Sequence, residues 1–400
     1  MFWRRCCQAF PFRRSRRENK MEIIVMALIL AAVLAGQYLL YTVRGLKKLT
    51  YTLTISVDEA FEGDEIEIVE EIDNAKLLPL PWIRTEISCS RWLSFSGQRV
   101  VPDEKNEQRG LISGVFMLKG RQRCRRVWKV RCEKRGVHHI DSVTVSVSDL
   151  FGLAKPTAVF PADSAVRVLP LPADMEAGEM SGDDFIGDIQ VNRFVLPDPF
   201  VISGAREYTG REPMNRIHWA QTARMGAPMV YNNEFTTERR ALIVLNMQRS
   251  PMSTEQRLSV PVLEAHIKAA AFAADICTQM RAEFSLISNT VGGRLEIPSG
   301  EGYEHTMKTL RSLAEIKNGC GEHFDDLLSE LNFFGMTDVI FISGFMTERL
   351  YETMERLTGS GVCCKLFSSQ LDEEECVLPA GCELRHIPRK MYAVSGAGED

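Results

Sequence analysis

Apolar and polar positions change rhythm twice along this chain, and each rhythm predicts a different kind of structure. Ile23 to Val43 reads IIVMALILAAVLAGQYLLYTV, an apolar run that no polar stripe divides. At about 1.5 Å per residue such a run crosses the roughly 30 Å hydrocarbon core of a bilayer. A core helix of a soluble domain would carry a polar face. A signal peptide would have a shorter apolar region and a small-residue cleavage site. Tyr38 and Tyr41 sit near one end, where aromatic rings favour the membrane interface. The pattern predicts a transmembrane helix over residues 21–45, behind a basic tail at 1–20.

Over residues 46–170 the period shortens to two. Thr50 to Val57 (TYTLTISV) alternates apolar or β-branched residues with polar ones, as a half-buried strand does. Glu65–Ile72, Trp82–Cys89, Leu111–Leu118, Arg126–Cys132 and Val137–Val147 read the same way. Short strands at this spacing predict an antiparallel β-sandwich of immunoglobulin-like type. The basic stretch Lys119 to Arg126 lacks interleaved aromatics, so it reads as the solvent face of a strand rather than a nucleic-acid contact. Residues 171–200 are acidic and Gly-containing, which predicts a linker. Asp183, Asp184 and Asp188 within it lack the spacing of a calcium loop.

From residue 241 to 395 continuous apolar runs alternate with helical periods. Ala241–Met247 (ALIVLNM) has the composition of a strand buried on both faces. A helix over Val262–Arg281 follows, with Leu263, Ile267, Ala270, Ala271, Ala274 and Cys277 on one face. Strands at Glu283–Ser288, Asp338–Ile342 and Val362–Phe367 are expected, with helices near Tyr303–Ile316, Phe324–Phe333 and Thr347–Leu357. This order builds a doubly wound parallel sheet. Such sheets bind ligands at the carboxyl ends of their strands, here the stretch Asn246 to Ser250 and the pair Ser343-Gly344.

Charge and thiols add to this picture. The net charge of -5 gives no reason to expect nucleic acid. Seven Lys or Arg precede the helix within the first twenty residues, against three just after it, Arg44, Lys47 and Lys48. Read from Met1, that bias puts the bulk of the chain outside the cell; read from Met21, it reverses. The eleven cysteines include the adjacent pairs Cys6-Cys7 and Cys363-Cys364 and no CxxC spacing. They read as buried thiols rather than as a zinc site or a disulfide framework, which suits a reducing compartment. The soluble domains are therefore expected in the cytoplasm.

No Walker A loop, GxGxxG turn, HExxH or GxSxG element is present. The most distinctive stretch is Arg206 to Arg224, REYTGREPMNRIHWAQTAR. It reads as a turn, then a short helix starting at Glu212-Pro213 and stopping at Gly226. Ile217 and Trp219 are expected to anchor it by burial, with Arg224 near its C-terminus.

Arg206, Glu207, Tyr208, Arg216, Ile217, His218, Trp219, Ala223 and Arg224 resemble, in register, the signature of the bacterial family called domain of unknown function 58. Gly210 stands one place early, Arg211 occupies the usual Gly position and Glu212 replaces the usual Asp. Ser148 to Leu153 (SDLFGL) is similar to the family's Asp-Pro-Phe-Gly-Leu turn. The resemblance implies a membrane anchor, a β-sandwich and a C-terminal domain similar to von Willebrand factor A domains. It also implies a MoxR-type AAA+ ATPase as partner. The metal-ion-dependent adhesion site of true A domains begins Asp-x-Ser-x-Ser. Asn246, Gln248 and Ser250 occupy those positions here, without the carboxylates a hard cation requires. No metal or other cofactor is expected.

Three functions fit these residues. The favoured one is a non-enzymatic scaffold that binds other proteins at the membrane. The second is an enzyme using His218, Glu212 and Arg216; against it, the charged residues of the signature (Arg206, Glu207, Glu212, Arg216, Arg224) equally suit salt bridges that pin the segment. The third is a surface adhesion receptor, which needs a working metal site.

Overall fold

The computed structural model describes residues 16–98, 100–103, 106–172, 202–208, 214, 217–233, 239–252, 257–371 and 377–387. The linker, with Asp183, Asp184 and Asp188, lies outside the described residues, as do Glu212, Pro213, Arg216 and Cys376. The chain divides into two compact units, Met1–Val168 and Leu169–Asp400.

The first unit opens with helix α1 (Arg16–Arg44), whose Met21–Arg44 portion is long and apolar enough to cross a membrane. Ten strands follow: β1 (Leu49–Ile55), β2 (Glu59–Phe61), β3 (Glu65–Asn74), β4 (Leu80–Ser90), β5 (Leu93–Phe95), β6 (Val101–Asp103), β7 (Asn106–Leu118), β8 (Gln122–Cys132), β9 (Gly136–Ser148) and β10 (Thr157–Leu169). They form a four-stranded sheet in the order β1-β3-β8-β5 and a six-stranded sheet in the order β2-β10-β9-β4-β7-β6. The alternation sets which side chains enter the core. Along β3 every second residue is buried, Ile66, Ile68 and Ile72 among them. They meet Ile83, Ile87, Val143, Val145 and Val147 in one cluster, each large aliphatic group contributing about 1.5–3 kcal/mol by leaving water. On the opposite side of β8, Arg123 and Arg125 pair with Asp73 and Glu71 on β3. The basic stretch is thus a strand's solvent face.

The second unit begins with the two-stranded antiparallel sheet β11 (Ile202–Glu207) and β12 (Met229–Asn233), which flank helix α2 (Trp219–Met225). The larger sheet holds β13 (Arg240–Leu245), β14 (Glu283–Ser288), β15 (Leu295–Gly300), β16 (Asp338–Ile342), β17 (Cys363–Ser368) and β18 (Cys382–His386). Their order is β15-β14-β13-β16-β17-β18. All neighbours run parallel except the β14–β15 hairpin, so the sheet is mixed rather than wholly parallel. The hairpin follows from a tight turn at Gly292-Gly293, both at positive φ, which leaves no room for a crossover helix.

Leu242 and Val244 of β13 join Val339, Phe341 and Leu366 against helices α5 (Phe324–Glu330) and α6 (Glu348–Gly359). Helix α3 (Val260–Gln279), with Pro261 in its first turn, serves the opposite face, toward which Ile243 and Ile340 point. Its expected stripe, Leu263 to Cys277, is buried throughout. Helix α4 (Gly302–Glu315) packs beside it.

Candidate functional site

Strand order decides where a site can form in the α/β unit. From β13 the chain moves outward to β14 and β15, then returns to add β16 on the other side. The carboxyl ends of β13 and β16 therefore flank a switch point, the usual ligand position in such sheets. Asn246 follows β13 and Ser343 follows β16, and the Asn246 amide donates to the Ser343 hydroxyl at 2.9 Å.

The side-chain amides around that bond are engaged from within. Asn246 Oδ1 accepts from the Gln248 backbone at 2.9 Å and from the Asn289 amide at 3.3 Å. Asn289 Oδ1 accepts from the Met247 backbone at 2.7 Å, and its amide also donates to the Glu322 carbonyl at 3.2 Å. Gln248 reaches the start of α5, where its Oε1 accepts from the Phe324 backbone at 2.9 Å. Its amide donates to the Ser250 carbonyl at 2.7 Å and to His323 Nδ1 at 3.3 Å. Asn246, Gln248, Asn289 and Ser343 are all buried. Gly344 allows Gln370 to close over this edge, since a Cβ there would meet the Gln370 Oε1.

His266 of α3 lies beneath the network, fully buried. Its Nδ1 donates to the Asn246 carbonyl at 3.3 Å, and its Nε2 accepts from Ser369 Oγ at 3.4 Å. Burial lowers its pKa to about 4, only partly offset by the backbone hydrogen bond. The ring is neutral at physiological pH, so the buried set Asn246, Gln248, Asn289, Ser343 and His266 carries no charge.

A divalent cation does not fit this set of donors. The oxygens are neutral amides and hydroxyls already engaged, whereas magnesium and calcium sites are built on carboxylates. Asp325 in the α5 first turn accepts from the Thr347 hydroxyl at 2.6 Å. The Ser288 hydroxyl at the end of β14 is buried without a partner among the described residues, and it adds no charge. Among the described residues no group of three His, Cys, Asp or Glu is placed to hold a metal. Cys364 and Cys382 are register partners on β17 and β18, while Cys363 belongs to the opposite face of its strand.

The signature segment is organised differently from the expected helix. Ile217 is buried and forms a bridge to Val230 on β12, so the chain is still extended there. Helix α2 starts only at Trp219, with His218 as its N-cap: the imidazole Nδ1 accepts from the Gln221 backbone at 3.3 Å. Gly226 ends it at φ 70°, as expected, with Arg224 in the last turn. Trp219 is not an anchor. It is 66% exposed, because α2 packs against β12 through Thr222, whose hydroxyl accepts from the Met229 backbone at 2.9 Å. Arg206 and Glu207 lie in β11 opposite Val230 and Met229, and the Tyr208 backbone donates to the Pro228 carbonyl. The structure brings Asn246, Gln248 and Ser250 together, and it holds His218 by a capping bond.

Residues 204–380 match the family model described as protein of unknown function DUF58. Over this region the chain is similar to the DUF58 family. No curated protein matches it. Among solved structures, the SpRpn10 VWA domain is similar at 10% identity, covering 40% of this chain and 98% of its own, with a TM-score of 0.26. The CARDB domain of the PF1109 protein from Pyrococcus furiosus is similar at 11% identity, over 30% and 87%, with a TM-score of 0.20. The sporulation control protein Spo0M from Bacillus subtilis is similar at 11% identity, over 31% and 51%, with a TM-score of 0.19.

Proposed function

We propose that this protein is a membrane-anchored, non-enzymatic protein-binding module. Helix α1 spans the bilayer, and the α/β unit engages a protein partner through its surface. The observation that supports this reading is the internally hydrogen-bonded, uncharged amide network at the switch point. Its amides hold the loops of that edge in place and leave neither a carboxylate nor a free base for chemistry. The signature segment supplies a contact surface instead: Met214, Trp219 and Met225 are all exposed large apolar side chains. Trp is enriched among residues that dominate binding energy, and Met adapts to a partner's shape.

The partner proposed is a MoxR-type AAA+ ATPase, on the resemblance of the signature, with both soluble units in the cytoplasm. Cys89, Cys132, Cys277 and Cys364 sit in the cores as small apolar groups, a usage suited to a reducing compartment. The test is titration of the full chain in detergent with that ATPase in its ATP, ADP and nucleotide-free states. Binding in at least one state is expected, weakened about tenfold or more by Trp219→Ala. No binding in any state would remove the ATPase from the account. Binding that Trp219→Ala leaves untouched would move the contact elsewhere.

A further inference from the structure

One hydrogen bond fixes which loop of the β-sandwich lies beside the helix. Gln37 Nε2 donates to Asp149 Oδ2 at 3.2 Å. Gln37 lies six residues before the end of the apolar run Ile23–Val43, about 9 Å inside it at 1.5 Å per residue. Nearby, Tyr41 is buried in the sandwich core and its hydroxyl donates to the Pro79 carbonyl at 2.9 Å. One face of the last two turns of α1, carrying Gln37 and Tyr41, therefore lies against the sandwich, while Tyr38, Leu39, Leu40 and Val43 stay exposed. If the bilayer stopped where the sandwich begins, Met21 to Gly36 would supply only about 24 Å of apolar helix, short of the roughly 30 Å core.

The loop fixed by Asp149 is built to make up that difference. Its next residues, Leu150, Phe151 and Leu153, are 64%, 61% and 56% exposed. Leu77 on the β3–β4 loop and Trp82 at the start of β4 are exposed at the same end. A soluble surface would not gather such side chains at loop tips, whereas an interfacial one favours them. Around them lie the exposed cations Arg44, Lys47, Lys48, Lys119, Arg121 and Lys155. Asp149 is the one carboxylate in the segments 44–48, 75–79, 119–121 and 149–156, and it is buried. A ring of cations around an apolar tip suits a bilayer bearing anionic headgroups.

We propose that the loop Leu150–Leu153 inserts into the bilayer interface alongside α1, with the surrounding cations on anionic headgroups, so that the sandwich is seated on the membrane rather than tethered above it. This rests on the reading that α1 spans the bilayer. The test places p-benzoylphenylalanine in the full chain at Phe151, at Ile29 within α1, or at Val57 at the far end of the sandwich. Each variant is reconstituted in vesicles of phosphatidylcholine and phosphatidylglycerol, irradiated, and weighed for lipid adducts. Comparable yields are expected at Ile29 and Phe151, with about tenfold less at Val57, which stands off the surface. Adducts at Ile29 with Phe151 at the Val57 level would overturn the seated loop and leave the span intact. Absence of adducts at Ile29 as well would overturn both.

Discussion

The two soluble units bury polar side chains in opposite ways. In the sandwich, Glu70 on β3 is fully buried and accepts from the Tyr51 hydroxyl at 3.0 Å and from Trp128 Nε1 at 2.9 Å. The Arg126 guanidinium lies over the Trp128 ring at 4.8 Å. That carboxylate holds the first sheet together. At the switch point of the α/β unit, the buried groups are amides, hydroxyls and a neutral imidazole. A carboxylate is used where its hydrogen bonds are structural, and none joins the network where it would attract a cation. The amides at the α/β edge hold its loops to one another, as the Glu70 carboxylate holds the strands of the first sheet.

The largest effect is expected from removing the sandwich carboxylate. Glu70→Ala strands the Tyr51 and Trp128 donors in the core and should destabilise the sandwich by about 3–5 kcal/mol. Urea unfolding read by tryptophan fluorescence measures this; a loss under about 1 kcal/mol would mean that Glu70 is dispensable.

Acid should strike the other unit through His266. Its folded pKa, about 4, lies below the roughly 6.5 of an unfolded histidine. The unfolded chain then binds the extra proton first. The stability is complete above pH 6.5, declines as pH falls, and is lost by about 3 kcal/mol at pH 4. His266→Gln should flatten the decline between pH 6.5 and 5, before most carboxylates titrate. An unchanged slope in that window would assign it to other groups.

Restoring a metal-type carboxylate gives a smaller expected effect. Asn246→Asp removes the donor to Ser343 and buries a charge among satisfied dipoles, costing about 1–3 kcal/mol. Thermal melting with and without magnesium checks it. Rescue by the metal to wild-type stability would show that the remaining ligands are in place. Trp219→Ala should be the mildest, within about 0.5 kcal/mol, because the side chain is exposed. A larger loss would return Trp219 to the packed role its sequence context suggested.

Much of this fold was legible because burial leaves a period. Glu283–Ser288 and Asp338–Ile342 match the expected strands end to end, since an apolar run bounded by polar residues admits little else. Edge strands escaped notice. Leu295–Gly300 contains Pro298, and Cys382–His386 is short and charged; both are tolerated because an edge leaves one side unpaired. The signature segment misled for a local reason. Trp219 is the largest side chain there, yet the nearby Ile217 takes the buried position through its bridge to Val230.

Within the candidate site, Asn246, Gln248 and Ser250 were found from strand-end position. Asn289 and His266 were not. Asn289 carries the same signal as Asn246, an amide just past a buried strand. His266 falls inside the apolar face of α3 and stands out only as a polar interruption between Leu263 and Ile267. What no sequence period reveals is whether such groups satisfy one another, because that depends on loops brought together across the sheet.

The most direct test of the central claim is a calorimetric titration of the purified full chain with magnesium and manganese. A closed, uncharged switch point predicts no saturable heat from either ion and a thermal midpoint that does not move. A saturable site, abolished by Asn246→Ala, would contradict it and make the strand-end edge a working cation site.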